Sequence, residues 1–569
     1  MLIPLLIIVE VFFEIMIPVF MSKLIDFGVN ATDSLGNVVP NKEVIIYYGV
    51  LMIISAIVAL FFGIMVTKTA ARVSTEFGHN LRQAQFEKIQ EYSFENIDNF
   101  KTSSLITRMT MDVNMLQQSA NMILRVALRA PSLILFSIIS ISLFAGQLAL
   151  VFMLVIPILI IGFYIIMSKA HKYFKRMFVR IDNLNLTIQE DLIGIRTVKS
   201  FVREDYEINR FNKATQDVRD IGIKAEKVVI FNRPLMQFAI GTSFLLIGWF
   251  GSKLLVGGNL TEGQFANTIT YVNQVLFSLM MISHVFLMFV MSRASIERIN
   301  LVLNEEPYLT EIENSIDEVK DGSFKFENVR FKYGKDDDNY VLDGINLDVP
   351  SGSTVGIFGS TGTGKSTLVQ LLARLYDVTD GTIYIGGKDI RTYSLESLRK
   401  EVILVLQKNV LFSGTVKDNI RWGKDDATDE EIISVLKKAQ AYDFVMEMEN
   451  GMDTWIEQGG VNVSGGQRQR LTIARALIAE PKILILDDST SAVDTKTDAR
   501  IRESLKNENP KMTKVIISQR LSSIEDADII VLMDENGINS AGKHDELYAN
   551  NEMYKTIYDA QSQAKVVEE

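Results

Sequence analysis

The sequence predicts an all-α membrane domain of six transmembrane helices, followed by an α/β domain built on a parallel sheet. Three observations support this division. Six long apolar runs occur before residue 300, the rest of the 569-residue chain is dense in charge, and strands alternate with helices from Ser323 onward. We therefore predict a membrane domain over residues 1–300, a linker over 301–322 and the second domain over 323–569.

The six apolar runs are each long enough to cross a bilayer. A hydrocarbon core about 30 Å thick needs about 20 apolar residues in a helix. The first run lacks the basic start and the small-residue cleavage site of a signal peptide, so we interpret it as a membrane helix. The runs lie near residues 1–25, 43–66, 121–144, 147–167, 228–256 and 265–292.

Basic residues predict the orientation of these helices. The linkers near 145–147 and 257–264 contain no Lys or Arg, whereas the long linkers 67–120 and 168–227 contain many. Because basic loops favour the cytoplasmic side, we place both long linkers and both termini in the cytoplasm. Apolar residues at helical spacing within the second long linker predict helices that run far beyond the membrane and then return.

Charged residues within the apolar runs have two interpretations. Glu10 and Glu14 lie one turn apart in the first run, and Arg125 and Arg129 have the same spacing in the third. A charge at mid-bilayer costs about 2.5–3.5 kcal/mol, so such groups usually face protein or a water-filled cavity. Either these groups pair and fix the helix packing, or Glu10 and Glu14 line a substrate cavity that attracts lipophilic cations.

The composition excludes several classes of function. The chain has no cysteine, which excludes disulfides and thiolate metal sites. Its net charge of −11 argues against nucleic acid as a partner, because a nucleic-acid binder needs a basic face. The four histidines are too few and too scattered to predict a metal centre.

A glycine-rich motif follows the predicted strand at residues 354–358 and precedes a predicted helix. Its glycines allow backbone N–H groups to surround phosphate oxygens, and the helix N-terminus favours negative charge. In such P-loops the lysine reaches the outer phosphates and the following hydroxyl binds Mg²⁺, so the predicted cofactors are a nucleoside triphosphate and Mg²⁺. The motif consists of Gly359, Ser360, Thr361, Gly362, Thr363, Gly364, Lys365, Ser366 and Thr367.

A second apolar strand, at residues 483–486, ends in two carboxylates, Asp487 and Asp488. The first fits the acidic residue that holds Mg²⁺ in P-loop ATPases. Taken alone, a strand that ends in two aspartates would be a weak signal. Its position after the glycine-rich motif strengthens the prediction of a site for ATP and Mg²⁺.

Between these two motifs, a third pattern resembles the signature of ATP-binding cassette (ABC) proteins. It consists of Val463, Ser464, Gly465, Gly466 and Gln467, and a helix and then the acidic strand follow it. Tyr333 is similar to the aromatic residue that stacks on adenine in this family. Gln407 is similar to the family's Q-loop glutamine, which implies a role in catalysis and in binding Mg²⁺. The remaining match resembles the D-loop of the family and consists of Ser491, Ala492, Val493 and Asp494.

The resemblance extends to the membrane half, which is similar to exporters of this family. It implies two coupling helices, within Phe100–Val113 and Val198–Phe211, and a chain that acts as one half of a dimer. In the family, each ATP lies between one chain's P-loop and the other chain's signature. The resemblance also implies a bacterial, multi-pass protein of the plasma membrane with a cytoplasmic cassette. The amphipathic lead-in helix common in such proteins is expected either to be absent or to lie before the first residue of this sequence.

Two positions depart from the family pattern. Asp488 stands where the family has a catalytic glutamate, and Gln519 stands where it has a histidine that senses the γ-phosphate. Aspartate is one methylene shorter than glutamate, and glutamine cannot take on a proton. Together the two changes resemble the degenerate subunit of heterodimeric bacterial multidrug exporters.

That resemblance implies a homologous half-transporter as partner and small lipophilic, drug-like substrates. This chain's P-loop would hold ATP and turn over slowly, while its signature, Val463 to Gln467, would complete the partner's hydrolysing site. Three alternatives are a homodimer with two weak sites, a dedicated lipid or peptide exporter, and an ATP-gated regulatory or channel protein. The apolar runs and basic linkers exclude a soluble ATPase.

Overall fold

The computed structural model describes the backbone of residues 2–32, 38–312, 315–334, 339–489, 493–508, 510–535 and 537–568. The chain divides into two units. The first contains Met1–Gln90 and Thr102–Glu305, and the second contains Glu91–Lys101 and Glu306–Glu569. The short segment Glu91–Lys101 therefore groups with the C-terminal part of the chain.

The named secondary-structure elements of the first unit are all helices. Two π-helical turns, Ile25–Val29 and Arg108–Asp112, interrupt its helices. In chain order, and including α3 of the second unit, the helices are α1 Leu2–Leu24, α2 Lys42–Gln90, α3 Phe94–Phe100, α4 Thr102–Thr107, α5 Val113–Val126, α6 Arg129–Ile193, α7 Ile195–Ser200, α8 Glu204–Val229, α9 Asn232–Val256 and α10 Glu262–Asn304.

Six helical segments of the described chain are long and apolar enough to cross a membrane, which confirms the predicted number of spans. Helix α6 contributes to two of them, because its backbone leaves helical geometry at Ala145 (φ −145°, ψ 59°). The segments are Leu2–Val29, Lys42–Gln90, Thr102–Leu143, Ala145–Ile193, Glu204–Val256 and Glu262–Asn304. At about 1.5 Å per residue, the 49 residues of α2 span about 74 Å, more than twice the hydrocarbon thickness.

The predicted first coupling segment, Phe100–Val113, contains α4 and the π-helical turn Arg108–Asp112, and its role in coupling stays a prediction. The short helix that groups with the second unit is α3, and the chain returns to the first unit at Thr102. A capping box fixes the start of α3 at Phe94, because the Ser93 backbone N–H donates to Asn96 Oδ1 at 3.1 Å. The second reversal falls inside the predicted Val198–Phe211, since α7 ends at Ser200 and α8 begins at Glu204.

The second unit contains a six-stranded sheet, a four-stranded antiparallel sheet and a short two-stranded ribbon. Its strands are β1 Phe324–Phe331, β2 Leu342–Val349, β3 Thr354–Gly359, β4 Asp380–Ile385, β5 Lys388–Asp389, β6 Val402–Val405, β7 Gly414–Thr415, β8 Trp455–Ile456, β9 Ile483–Asp487, β10 Thr513–Ile517, β11 Ile529–Asp534 and β12 Gly537–Gly542. Its further helices are α11 Lys365–Leu372, α12 Leu395–Glu401, α13 Val416–Arg421, α14 Asp429–Lys438, α15 Tyr442–Glu447, α16 Gly465–Leu477, α17 Thr495–Glu508, α18 His544–Asn550 and α19 Glu552–Glu568.

The order of the six-stranded sheet brings the predicted site residues together. It runs β12-β11-β3-β10-β9-β6, and all pairs except β11–β12 are parallel. Every residue of β9 and β10 is buried, as expected of central strands covered on both faces. Because parallel strands end at one edge, the residues that follow β3, β9 and β10 meet there.

Candidate nucleotide-binding site

The glycine-rich motif forms a tight loop between β3 and α11. Gly364 caps the start of α11 with φ +84°, a left-handed conformation that glycine adopts without a steric penalty. A Cβ at Gly359 would lie 2.4 Å from the carbonyl oxygen of Met533 on β11, so only glycine fits there. Thr363 Oγ1 donates to the carbonyl of Ser360 at 3.0 Å and closes the loop.

Lys365 lies folded over this loop. Its Nζ donates to the carbonyl oxygens of Gly359, at 2.8 Å, and of Ser360. Burial lowers the pKa of Lys365, and the nearby carboxylates of Asp487 and Asp488 oppose that shift. The ammonium group therefore lies where the P-loop backbone and two carboxylates converge, a suitable place to meet the outer phosphates of a nucleotide.

Ser366 and Asp487 form a pair that fits a Mg²⁺ ion. Ser366 Oγ donates to Asp487 Oδ1 at 3.1 Å, and Asp487 is buried at the end of β9. Burial raises the pKa of Asp487, while the hydrogen bond from Ser366 lowers it. A hydroxyl and a carboxylate both offer oxygen atoms, the ligand type that Mg²⁺ prefers. The third predicted metal ligand, Gln407, contacts the neighbouring Asp488.

Asp488 adopts a backbone conformation that is uncommon for a residue with a side chain. Its φ is +48°, and its N–H donates to the carbonyl of Ile517 on β10 at 3.1 Å. Gln407 Nε2 donates to Asp488 Oδ2 at 3.5 Å. Burial raises the pKa of Asp488, and the hydrogen bond from Gln407 and the positive charges of Lys365 and Arg520 oppose the shift. The sequence analysis missed Arg520, because the approach of its side chain to Asp488 depends on the order of the strands.

Gln519 follows β10 and is exposed. Its backbone carbonyl accepts a hydrogen bond from Gln561 Nε2 at 3.1 Å. The side-chain oxygen of Gln561, Oε1, accepts a second hydrogen bond from the Leu521 N–H at 2.9 Å. Gln561 on α19 therefore fixes the backbone on both sides of Arg520. The side chain of Gln519 remains an uncharged amide at all ordinary pH values. No sequence motif indicated Gln561, which lies 42 residues further along the chain.

The signature-like motif forms the N-terminus of α16. Ser464 Oγ accepts from the Gln467 N–H at 3.2 Å, and Gln467 Oε1 accepts from the Ser464 N–H at 2.9 Å. This capping box leaves Gly465 and Gly466 in the first turn, where backbone N–H groups and the helix dipole favour an anion. Val463 is buried beneath the motif.

The predicted D-loop is described only in its second half. Ser491 and Ala492 lie outside the described residues. Val493 is buried, and Asp494 Oδ1 accepts from the Thr497 N–H at 3.0 Å at the start of α17. That hydrogen bond lowers the pKa of Asp494, so the carboxylate stays ionised.

Comparison with known proteins identifies the family. Residues 1–280 match the family described as ABC transporter transmembrane region, and residues 342–491 match the ABC transporter family. The chain is 35% identical to the "Uncharacterized ABC transporter ATP-binding protein YfiB" of Bacillus subtilis (strain 168), over 98% of this chain and 95% of that protein. The chain is an ABC transporter.

Two further relatives agree with this assignment. The "ATP-dependent lipid A-core flippase" of Desulfotalea psychrophila is 34% identical over 89% of each chain. The solved "Structure of a bacterial Atm1-family ABC exporter with ATP bound" has a TM-score of 0.87 at 24% identity and covers 98% of both chains, which shows the same fold. This ABC transporter is thus a multi-pass membrane protein with a cytoplasmic ATP-binding cassette.

The predicted adenine-stacking residue of this ABC transporter lies beside the P-loop helix. The Tyr333 hydroxyl lies 2.9 Å from Thr367 Oγ1 and donates to Gln370 Oε1 at 3.1 Å. Its ring packs edge-on against Tyr376, with centroids 5.3 Å apart. The Tyr376 hydroxyl in turn donates to Asp98 Oδ2 of α3 at 2.7 Å. An unpredicted aromatic residue therefore links α3 to the nucleotide-binding edge of the cassette.

The carboxylates of the first span contact one arginine. Arg129 Nε lies 3.2 Å from Glu10 Oε1, and Arg129 Nη2 donates to Glu14 Oε2 at 2.9 Å. These contacts join α1 to α6, as the packing interpretation predicted. One cation shared by two carboxylates weakens the case that either of them attracts a cationic substrate, and that role stays a prediction.

Proposed function

We propose that this ABC transporter is the slow-site half of a heterodimeric exporter of small lipophilic compounds. Its own P-loop holds ATP and hydrolyses it slowly. The partner's P-loop, covered by Ser464 to Gln467 of this chain, performs most of the turnover. The single observation behind this proposal is that Asp488 and Gln519 follow the adjacent strands β9 and β10, so both departures from the family pattern fall in one site.

The geometry around Asp488 supports slow hydrolysis. The shorter side chain ends about 1.5 Å closer to the backbone than a glutamate would, and a misplacement of about 1 Å can cost roughly 100-fold in rate. Gln407 and the charge of Arg520 hold the carboxylate near the sheet edge. Gln519 supplies no ionisable group to sense the γ-phosphate. The two substitutions therefore weaken chemistry more than they weaken binding.

ATP binding itself is well supported by the remaining residues. The P-loop backbone and Lys365 would hold the phosphates, Tyr333 would stack on the adenine, and Ser366, Asp487 and Gln407 would hold Mg²⁺. Bound there, Mg²⁺ would neutralise charge between the outer phosphates. Asp487 and Ser366 hold one another in place across the site, so they need little reorganisation to bind the ion.

Transport would proceed by alternating access. ATP binds the closed pair of cassettes more tightly than the open pair, and this difference in affinity supplies the driving free energy. The chain passes from α2 into α3 through only Glu91–Ser93, and α3 belongs to the cassette unit. A movement of the cassette would therefore be transmitted directly to the end of a membrane helix.

The proposal is tested by ATP turnover of this chain alone and mixed with its candidate partner half. We expect turnover near zero for the chain alone, because its P-loop site lacks a catalytic glutamate, and strong turnover for the mixture. A chain that hydrolysed ATP well by itself would show that Asp488 and Gln519 suffice for catalysis. The protein would then be a homodimeric exporter.

A further inference from the structure

The first unit contains a cavity of about 590 Å³ between α6, α9 and α10. That volume lies within the range of about 300–1,000 Å³ that small-molecule sites occupy. Its wall combines flexible apolar side chains, including Met236, Phe277 and Met280, with the polar side chains of Arg233 and Gln237. Methionine-rich walls adapt to ligands of varied shape. The cavity contains neither Glu10 nor Glu14.

With the long linker 168–227 in the cytoplasm, as its basic residues predict, the cavity would extend from the cytoplasmic surface of the bilayer toward its middle. Helix α9 begins at the cytoplasmic end and finishes at Val256, so the 23 residues from Arg233 to Val256 span about 35 Å. On this orientation Arg233 would lie at the level of the inner headgroups, just beyond a hydrocarbon core about 30 Å thick. Asn273 lies 11 residues into α10, about 16 Å from its outer end, and marks the mid-bilayer end of the cavity.

The charge of the cavity is positive. Its lining includes Arg233 and no aspartate or glutamate. Within the described parts of the chain, no carboxylate forms an ion pair with Arg233. A guanidinium is always charged, and Arg233 is exposed at this wall, so an anionic group that enters the cavity would pair with it.

We infer that this cavity binds an anionic amphiphile. A carboxylate or phosphate head would pair with Arg233 at the inner headgroup level and accept a further hydrogen bond from the Gln237 amide. An acyl or aromatic tail would run along Met236, Phe277 and Met280 toward the middle of the bilayer. Transport of such a ligand rests on the proposed export function, whereas its binding does not. The preference is opposite to the cation preference that Glu10 and Glu14 suggested.

Photo-crosslinking of the full chain in phosphatidylcholine nanodiscs tests this inference. The probes are a 16-carbon fatty acid with a diazirine in its tail and a chain-matched alkyl trimethylammonium, and the labelled residues are mapped by mass spectrometry. We expect the fatty acid to label residues 229–240 and 273–287 about tenfold more than the cation does. Arg233→Gln should remove most of this difference, and Arg233→Lys should keep most of it.

A control on the same helix separates a local effect from a general loss of structure. Lys253→Gln removes a charge near the opposite end of α9 and should leave the labelling unchanged. Equal labelling by the two probes, or full labelling of Arg233→Gln, would overturn the inference. Because the labelling needs neither ATP nor a partner chain, its outcome is independent of the turnover measurement.

Two sources of anionic amphiphile are distinguished by the composition of the nanodisc. If phosphatidylglycerol in the bilayer competes with the probe, the cavity takes its ligand from anionic membrane lipid. If only free fatty acid competes, the ligand is a soluble amphiphile that enters from the cytoplasm. Both outcomes support an anionic site, whereas equal competition by a zwitterionic lysophospholipid would contradict it.

Discussion

Replacing Gly465 with aspartate in this chain is expected to lower the ATP turnover of the assembled pair by about 100-fold. In the proposed pair, the N-terminus of α16 covers the ATP on the partner's P-loop. The substitution places a carboxylate where backbone N–H groups would meet the γ-phosphate, and loss of one such donor commonly costs about 100-fold or more. Aspartate in the first turn of a helix complements the helix dipole, so the fold should be retained.

The matched control removes the carboxylate at this chain's own site. Asp488→Asn should change the turnover of the pair by less than about twofold, because that site contributes little hydrolysis when its partner is intact. Both variants are compared by phosphate release from the purified pair at saturating ATP. A tenfold loss in Asp488→Asn, or near-normal turnover in Gly465→Asp, would reverse the roles that we assign to the two sites.

Restoring the two family residues should create a second hydrolysing site. We expect the double substitution Asp488→Glu with Gln519→His, made in the Gly465→Asp chain, to raise the turnover of the pair at least tenfold over Gly465→Asp alone. The Gly465→Asp background silences the partner's site, so the regained turnover would come from this chain's P-loop. Phosphate release from the two pairs measures it.

The double substitution should regain turnover because it restores the length of the carboxylate side chain and adds a side chain that can be protonated. A glutamate carboxylate would extend about 1.5 Å further from the β9 edge, and a histidine after β10 would add an ionisable donor beside the γ-phosphate. Asp488→Glu alone is the informative control, since it restores reach without the histidine. If the double substitution adds no turnover, the slow site has a cause other than Asp488 and Gln519.

The P-loop could be predicted from sequence because its parts are contiguous. One strand, one glycine-rich turn and one helix lie within residues 354–372, and local rules on glycine and helix starts fix each of them. The six spans were predictable for a similar reason, since length and apolar composition are properties of single segments. The D-loop match has only Val493 and Asp494 among the described residues.

Contacts between distant residues could not be predicted in the same way. Arg129 contacts Glu14 across 115 positions, and Tyr376 contacts Asp98 across 278. Charges in the spans indicated that pairing was possible, but several pairs satisfied the spacing. The start of α3 depends on the Ser93 and Asn96 cap, whose side chains also suit a loop. The cavity beside Arg233 requires three helices to be placed together, which no single segment encodes.

The most direct test of the slow-site proposal follows the γ-phosphate of a photoreactive ATP analogue on each chain of the working pair. The analogue is labelled at either the α- or the γ-phosphate and crosslinked during steady turnover. We expect this chain to retain γ-label for many turnovers of the pair, while the partner retains only α-label because its ATP has become ADP. Equal loss of γ-label from both chains would contradict the asymmetry and leave two equivalent hydrolysing sites.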